Sequence, residues 1–336
     1  MPQVVGALLA GVILGPAVLD MLHETEFLDK LAEIGVIVLM FCAGLETDTR
    51  ELKKSGKSAF IIALIGVIVP LAGGYAVAAY FNRPSVIASD ASGTAFLQNM
   101  FIGVILTATS VSITVETLKE LGKLKTHSGN AILGAAIIDD VLGIIALTII
   151  TSMADSNVNL VTVLLKIAAF FLLSGVGGVI VYRLFARWSN NAEHGLQRHT
   201  IAAFALCLIL SFAAEKFFGV ADITGAYIAG VIISNTQKSQ YLTSKFDTLS
   251  YLLLSPVFFA SIGLKVELPA MTTQIILFAV FLTLVAIFTK VIGCGLGAKL
   301  CGYKNYQSIR IGVGMISRGE VALIVASKGQ QLGLLG

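Results

Sequence analysis

Gly6-Ala-Leu-Leu-Ala-Gly-Val-Ile-Leu14 returns 219 residues later as Gly225-Ala-Tyr-Ile-Ala-Gly-Val-Ile-Ile233. At the same offset Phe41-Cys-Ala-Gly-Leu45 is answered by Ala260-Ser-Ile-Gly-Leu264, and Gly103-Val104 is answered by Gly312-Val313 at an offset of 209. The ten-residue difference falls in loops. The two halves of the chain are therefore copies of one design. What surrounds the copies fixes the solvent they were built for. Of the 336 residues 56% are hydrophobic before the 33 glycines are counted, only 13% are charged, and the mean hydropathy is +0.89. An average soluble domain is about 25% charged, and 23 basic and 20 acidic side chains cannot clothe a soluble surface of this size. The chain reads as an all-α polytopic membrane protein. Transmembrane barrels are excluded, because their strands alternate apolar and polar over about 10 residues and these blocks do not alternate.

Eleven apolar spans can be marked, at 4–19, 31–45, 59–81, 99–121, 128–153, 159–185, 199–214, 219–235, 248–265, 273–298 and 309–327. Cytoplasmic loops carry the Lys/Arg excess. Alternate loops hold Arg50, Lys53, Lys54 and Lys57, then Lys119, Lys123 and Lys125, then Arg183, Arg187 and Arg198, then Lys238 and Lys245, and finally Lys299, Lys304 and Arg310. The intervening loops hold only Lys30, Arg83, Lys216 and Lys265. This alternation puts Met1 on the cytoplasmic side and Gly336 outside, in a cell (inner) membrane. Equivalent spans are seven apart, so the two copies cross the bilayer in opposite senses. Inverted repeats of this kind mark secondary transporters, with sites near the midplane where the repeats meet. The expected division is a first repeat at 1–153, a linker helix and cytoplasmic loop at 154–198, and a second repeat at 199–336. Span 199–214 has no counterpart before residue 4, and span 128–153 has none after residue 327. Each repeat is thus expected to lack one helix of a thirteen-span whole.

Charge inside a span costs at least about 2.5–3.5 kcal/mol on insertion scales, which makes each such residue a functional candidate. In Ala131-Ile-Leu-Gly-Ala-Ala-Ile-Ile-Asp139-Asp140-Val-Leu-Gly-Ile-Ile-Ala-Leu147 two adjacent carboxylates sit mid-span. Neighbours on a helix point about 100° apart, so one can face a partner helix while the other faces a water-filled cavity. Lys290, in Ala286-Ile-Phe-Thr-Lys290-Val-Ile-Gly-Cys294, lies at a similar depth. It reads either as the partner of Asp139 or as a lysine snorkelling to the interface. Two spans are interrupted by polar residues, Thr107-Ala-Thr109-Ser110-Val-Ser112 and Ser317-Arg318-Gly319-Glu320, which are copies of one repeat element. Unwound helix at that depth is tolerated only where it lines a cavity or is buried in protein. Arg318 and Glu320 are expected to neutralise the half-helix dipoles there. Thr109 and Ser110 either offer oxygens to a dehydrated monovalent cation or cap the break.

Other signals lead elsewhere. Cys42, Cys207, Cys294 and Cys301 have neither CxxC nor zinc spacing. Ser55-Gly-Lys-Ser58 imitates the end of a phosphate loop but has Glu51 where the earlier glycine belongs, and Gly293-Cys-Gly-Leu-Gly297 reads as a close-packing helix face. No nucleotide-binding domain, no basic face for nucleic acid and no secretory leader is visible, so neither ATP drive nor nucleic-acid binding is expected.

Four blocks together resemble the cation:proton antiporter superfamily, in its branch with two adjacent aspartates. They are Pro2-Gln-Val-Val-Gly-Ala-Leu-Leu-Ala-Gly-Val-Ile-Leu-Gly-Pro16, Thr107-Ala-Thr-Ser110, Asp139-Asp140, and Lys290 with Arg318-Gly-Glu320. The resemblance implies a thirteen-helix homodimer in the bilayer, with a dimerisation domain and a six-helix core containing two crossed, broken helices. It implies that Asp140 binds the cation and protons and that Asp139 pairs with Lys290. The activity implied is exchange of Na+ or Li+ for H+ by alternating access, without a cofactor. A K+/H+ exchanger or K+ efflux system of the same architecture is the nearest alternative. A sodium-coupled organic-anion symporter shares the crossed helices but gives no reason for the aspartate pair and Lys290 together.

Overall fold

The structure, a computed structural model, describes residues 3–47, 49–83, 94–154, 160–190, 196–266, 272–331 and 333–334. The described residues form α1 (Gln3–Leu14), α2 (Glu26–Glu46), α3 (Thr49–Phe81), α4 (Ala95–Thr107), α5 (Val111–Glu120), α6 (His127–Ala154), α7 (Leu160–Asn190), α8 (Leu196–Ala213), α9 (Asp222–Ser234), α10 (Ser239–Leu249), α11 (Ser255–Leu264), α12 (Thr273–Leu300), α13 (Asn305–Gly314) and α14 (Glu320–Gln331). Several starts follow local chemistry. Thr25, Thr94 and Thr272 each accept a hydrogen bond from the backbone N–H three residues on, at 3.3–3.4 Å, which satisfies one orphan donor of the first turn. Gly302, at φ 86°, turns the chain from α12 into α13. Pro256 has no N–H to give the preceding turn, and just before it a π-helical turn at Ser250–Leu254 joins α10 to α11.

Seven helical stretches among the described residues are long and apolar enough to cross a membrane: Ser55–Phe81, Ala95–Glu120, His127–Thr151, Val161–Trp188, Gln197–Phe218, Ser239–Leu264 and Thr273–Leu300. Four of the eleven expected spans fall outside this set, for physical reasons. Helices α1 and α9 have 12 and 13 residues, so at about 1.5 Å per residue they fall short of a ~30 Å hydrocarbon core. Helix α2 carries Glu26, Asp29, Lys30 and Glu33 in its first turns. The eleventh span is divided between α13 and α14.

The chain folds as two compact units, each discontinuous in sequence. The first gathers Met1–Glu51, Val115–Lys125 and Leu164–Leu268; the second gathers Leu52–Thr114, Thr126–Val163 and Pro269–Gly336. Each unit draws on both halves of the duplicated sequence.

Within the first unit α1 packs on α11, α2 packs on α9, and α8 also lies against α9. The contacts repeat with the sequence. A Cβ on Gly11 would lie 2.1 Å from the Ala260 carbonyl oxygen, and one on Gly230, 219 residues later, would lie 2.3 Å from that of Phe41, itself 219 residues before Ala260. Gly44 and Gly263, again 219 apart, would meet the carbonyl oxygens of Tyr227 and Leu8 at 2.2 and 2.4 Å. Only glycine lets these backbones approach so closely. The two helix crossings are copies of each other.

In the second unit α12 packs on α13, α4 and α13 both pack on α6, and α14 packs on α4. Glycines again permit the contact of α3 with α12. A Cβ on Gly297 would lie 2.9 Å from the Ile62 Cα, and one on Gly66 would lie 2.4 Å from Cys294 Sγ. Ser55–Ser58 is helical, inside α3, which disposes of the phosphate-loop likeness. Phe101, Val104, Ile150, Val325 and Leu334 form a buried cluster here. All four cysteines are free thiols.

Candidate ion-binding site

Both breaks fall in the second unit. Helix α4 stops at Thr107 because Ala108 is extended (φ −56°, ψ 133°), and the chain becomes helical again at Val111. Helix α13 stops at Gly314 and the chain resumes at Glu320. The breaks touch. The Ser110 N–H donates to the Ser317 carbonyl at 3.0 Å, and Ser317 Oγ donates to the Ser110 carbonyl at 2.9 Å. Thr114 Oγ1 lies 2.5 Å from Ser317 Oγ and 3.2 Å from the Gly314 carbonyl oxygen. A Cβ on Gly319 would lie 3.0 Å from Ser110 Oγ, so the crossing is close packed. Ser110 Oγ also accepts from the Ile113 N–H at 3.3 Å, capping the first turn of α5.

Helix α6 carries Asp139 and Asp140, 1% and 8% exposed. Lys290 of α12 is fully buried. Its ammonium donates to Asp139 Oδ1 at 2.8 Å, to Asp139 Oδ2 at 3.0 Å and to the Thr107 carbonyl at 2.8 Å. An ammonium has three protons, and three acceptors surround this one. Lys290 does not snorkel. The Thr109 hydroxyl is fully buried and faces Asp139, outside hydrogen-bonding geometry. Asp140, one residue further along α6, has interactions of its own.

Arg318 serves the broken backbone. Its Nη2 donates to the Leu106 carbonyl at 2.8 Å, and its Nη1 donates to the Ile316 and Ser317 carbonyls at 3.1 and 3.3 Å. Leu106 and Thr107 are the last two residues of α4 and have orphan carbonyls, and Arg318 and Lys290 hold one each. Cations are favourable at the negative end of a helix, and two are placed at this one. Glu320 opens α14, and its side chain lies outside the described residues.

Residues 1–336 match the sequence profile of the family described as sodium/hydrogen exchanger, transmembrane. The chain belongs to the sodium/hydrogen exchanger family. It is 42% identical to the Bacillus cereus protein named probable Na+/H+ antiporter GerT, covering 99% of this chain and 86% of that one. It is 37% identical to the Na+/H+ antiporter of Enterococcus hirae, covering 99% and 85%. Its fold is similar to that of the sodium proton antiporter MjNhaP1 from Methanocaldococcus jannaschii, with a TM-score of 0.71 at 18% identity over 98% of this chain and 80% of that one.

The exchanger-family fold thus brings Asp139, Lys290, Thr109, Ser110 and Arg318 to the crossed breaks, with Asp140 next to Asp139 on α6. The main partners that sequence reading misses are backbone atoms, the Leu106 and Thr107 carbonyls, because no side chain announces them. Thr114 is missed too. Its only signal is a hydroxyl four residues after Ser110, one helical turn beyond the break.

Proposed function

We propose that the protein is a secondary transporter exchanging Na+ or Li+ for H+ by alternating access, with Asp140 the carboxylate that takes the cation and the proton in turn. Support comes from relatives named as Na+/H+ antiporters. The observation that carries the residue assignment is the commitment of Lys290: its ammonium is saturated by both oxygens of Asp139 and the Thr107 carbonyl. The lysine therefore balances Asp139, and in this reading the cation and the proton alternate at the neighbouring carboxylate of Asp140. Thr109 adds an oxygen to that cation site, and the crossed breaks let carbonyl dipoles replace water around a dehydrated ion. Residues 1–153 and 199–336 act as the two inverted repeats around the 154–198 linker, in a homodimer in the cell membrane.

Proteoliposomes containing the purified protein test this. Added Na+ or Li+ should dissipate a preset pH gradient, and Asp140→Asn should abolish the response while its unfolding temperature stays that of the wild type. Robust Na+-driven proton movement in Asp140→Asn would sink the assignment. One relative is named an Na+/H+-K+ antiporter, so K+ belongs in the assay. A response to K+ alone would move the reading to K+/H+ exchange.

A further inference from the structure

The crossing of the two breaks contains a hydrogen-bond chain with fewer protons than contacts. Four oxygens lie in a row: the Ser110 carbonyl, Ser317 Oγ, Thr114 Oγ1 and the Gly314 carbonyl, separated by 2.9, 2.5 and 3.2 Å. Each hydroxyl has one proton, so two protons serve three contacts. The central separation lies at the short end of the O–H···O range, and two hydroxyl oxygens approach that closely only with a proton between them. In one arrangement Ser317 donates to Thr114, and Thr114 donates to the Gly314 carbonyl. In the other Thr114 donates to Ser317, and Ser317 donates to the Ser110 carbonyl. The chain can donate to one break carbonyl or the other, never to both at once.

Residues of this row are close neighbours in sequence of the contacts that hold the charges. Three residues before Ser110, the Thr107 carbonyl accepts from Lys290; immediately after Ser317, Arg318 reaches back to the Leu106 carbonyl. A shift of one break against the other would therefore move the carbonyl bonded to Lys290 and, through the lysine, Asp139. Thr114 is 4% exposed, so water has little access to replace a lost hydroxyl.

We propose that Thr114 and Ser317 are positioning residues of the exchange cycle, whose two-proton chain holds the broken helices in register and sets the apparent affinity for the transported cation. The inference rests on the exchange activity proposed above. The test compares Thr114→Val, which keeps the shape and removes the hydroxyl, with Thr114→Ser, which restores it, and with Ser317→Ala, in the proteoliposome assay. Thr114→Val should raise the apparent KM for Na+ about tenfold, the scale of one lost hydrogen bond, with the maximal rate within about twofold of wild type. Thr114→Ser should lie within about twofold of wild type in both constants. Ser317→Ala should raise KM as Thr114→Val does, and the double variant should add little, because the chain is already broken. An unchanged KM in Thr114→Val, or a defect that Thr114→Ser shares, would overturn the proposal. If Thr114→Val does not fold, Ser317→Ala decides: a raised KM supports the chain and an unchanged one removes it. A wild-type protein that exchanges no alkali cation would refute the functional reading instead, a result visible before any variant is made.

Discussion

Lys290 is fully buried, and its three protons meet three protein acceptors. Taking one partner from a buried ion pair leaves the other charge uncompensated, at a cost of about 3–5 kcal/mol. Lys290→Gln should therefore lower the unfolding temperature of the protein in detergent. If a Lys290 proton leaves when the cation arrives at Asp140, wild-type exchange moves net charge and the variant's does not. Current across a supported membrane, recorded for both proteins beside their melting curves, checks this. Unchanged melting together with unchanged current would remove both roles from the lysine. The pairing with Asp139 was legible from sequence, since both residues lie some eight to ten positions in from expected cytoplasmic ends and charge at that depth needs a partner. The third acceptor was not legible. The Thr107 carbonyl becomes available only because Ala108 is extended, and that is a backbone property that residue types do not state.

At the scale of elements, the copied glycines give the repeat its energetic content. Gly11 lies where α1 crosses α11, and Gly230 lies where α9 crosses α2; each faces a carbonyl oxygen that a Cβ would approach to 2.1 or 2.3 Å. Backbone must give way at either site, and overpacking of this kind costs about 1–3 kcal/mol. Gly11→Ala and Gly230→Ala should therefore lower thermal stability by similar amounts. Gly6→Ala is the control in the same α1, because nothing lies within 4 Å of its Cβ position and alanine is the better helix former. Its melting temperature should equal or exceed that of the wild type. A large difference between Gly11→Ala and Gly230→Ala would deny that the two crossings are equivalent. The 219-residue offset was plain in the sequence because small residues must be kept wherever backbones touch. The helix ends were less plain. Apolarity runs from the end of α10 at Leu249 through the π-helical turn into α11, and only hydrogen bonding divides that run.

At the scale of the whole molecule, two separate groups of long-range polar contacts stand out in the first unit. Gln3 is bonded to Glu120 and Tyr251, while Lys119 pairs with Glu46 and Asp247 and Lys125 pairs with Glu46. Separately, Lys265 meets Glu24 and Asp29, both at 2.9 Å, and its hydrogen bond holds the Asp29 carboxyl below the ordinary carboxylate range. Among the described residues no ion pair or hydrogen bond joins a member of one group to a member of the other. All residues of the first group belong to spans or loops at the ends expected to be cytoplasmic, and all of the second to the opposite ends. Contacts between residues as distant in sequence as Lys265 and Glu24 thus agree with the alternation of basic loops. The first group is the one expected to face the cytoplasm, from the Lys/Arg excess, with fifteen basic residues at the segment ends of that side and four at those of the other. Cysteine labelling tests that assignment. Met21, 68% exposed in the loop after α1, and Lys123, exposed in the loop after α5, lie on opposite predicted sides. In a background without the four native cysteines, Met21→Cys should react with a membrane-impermeant maleimide in intact cells. Lys123→Cys should react only after the membrane is opened. The reverse pattern would invert the whole molecule, and with it the direction in which the proposed site loads its cation. Labelling of both positions in intact cells would mean that an odd number of spans does not separate them.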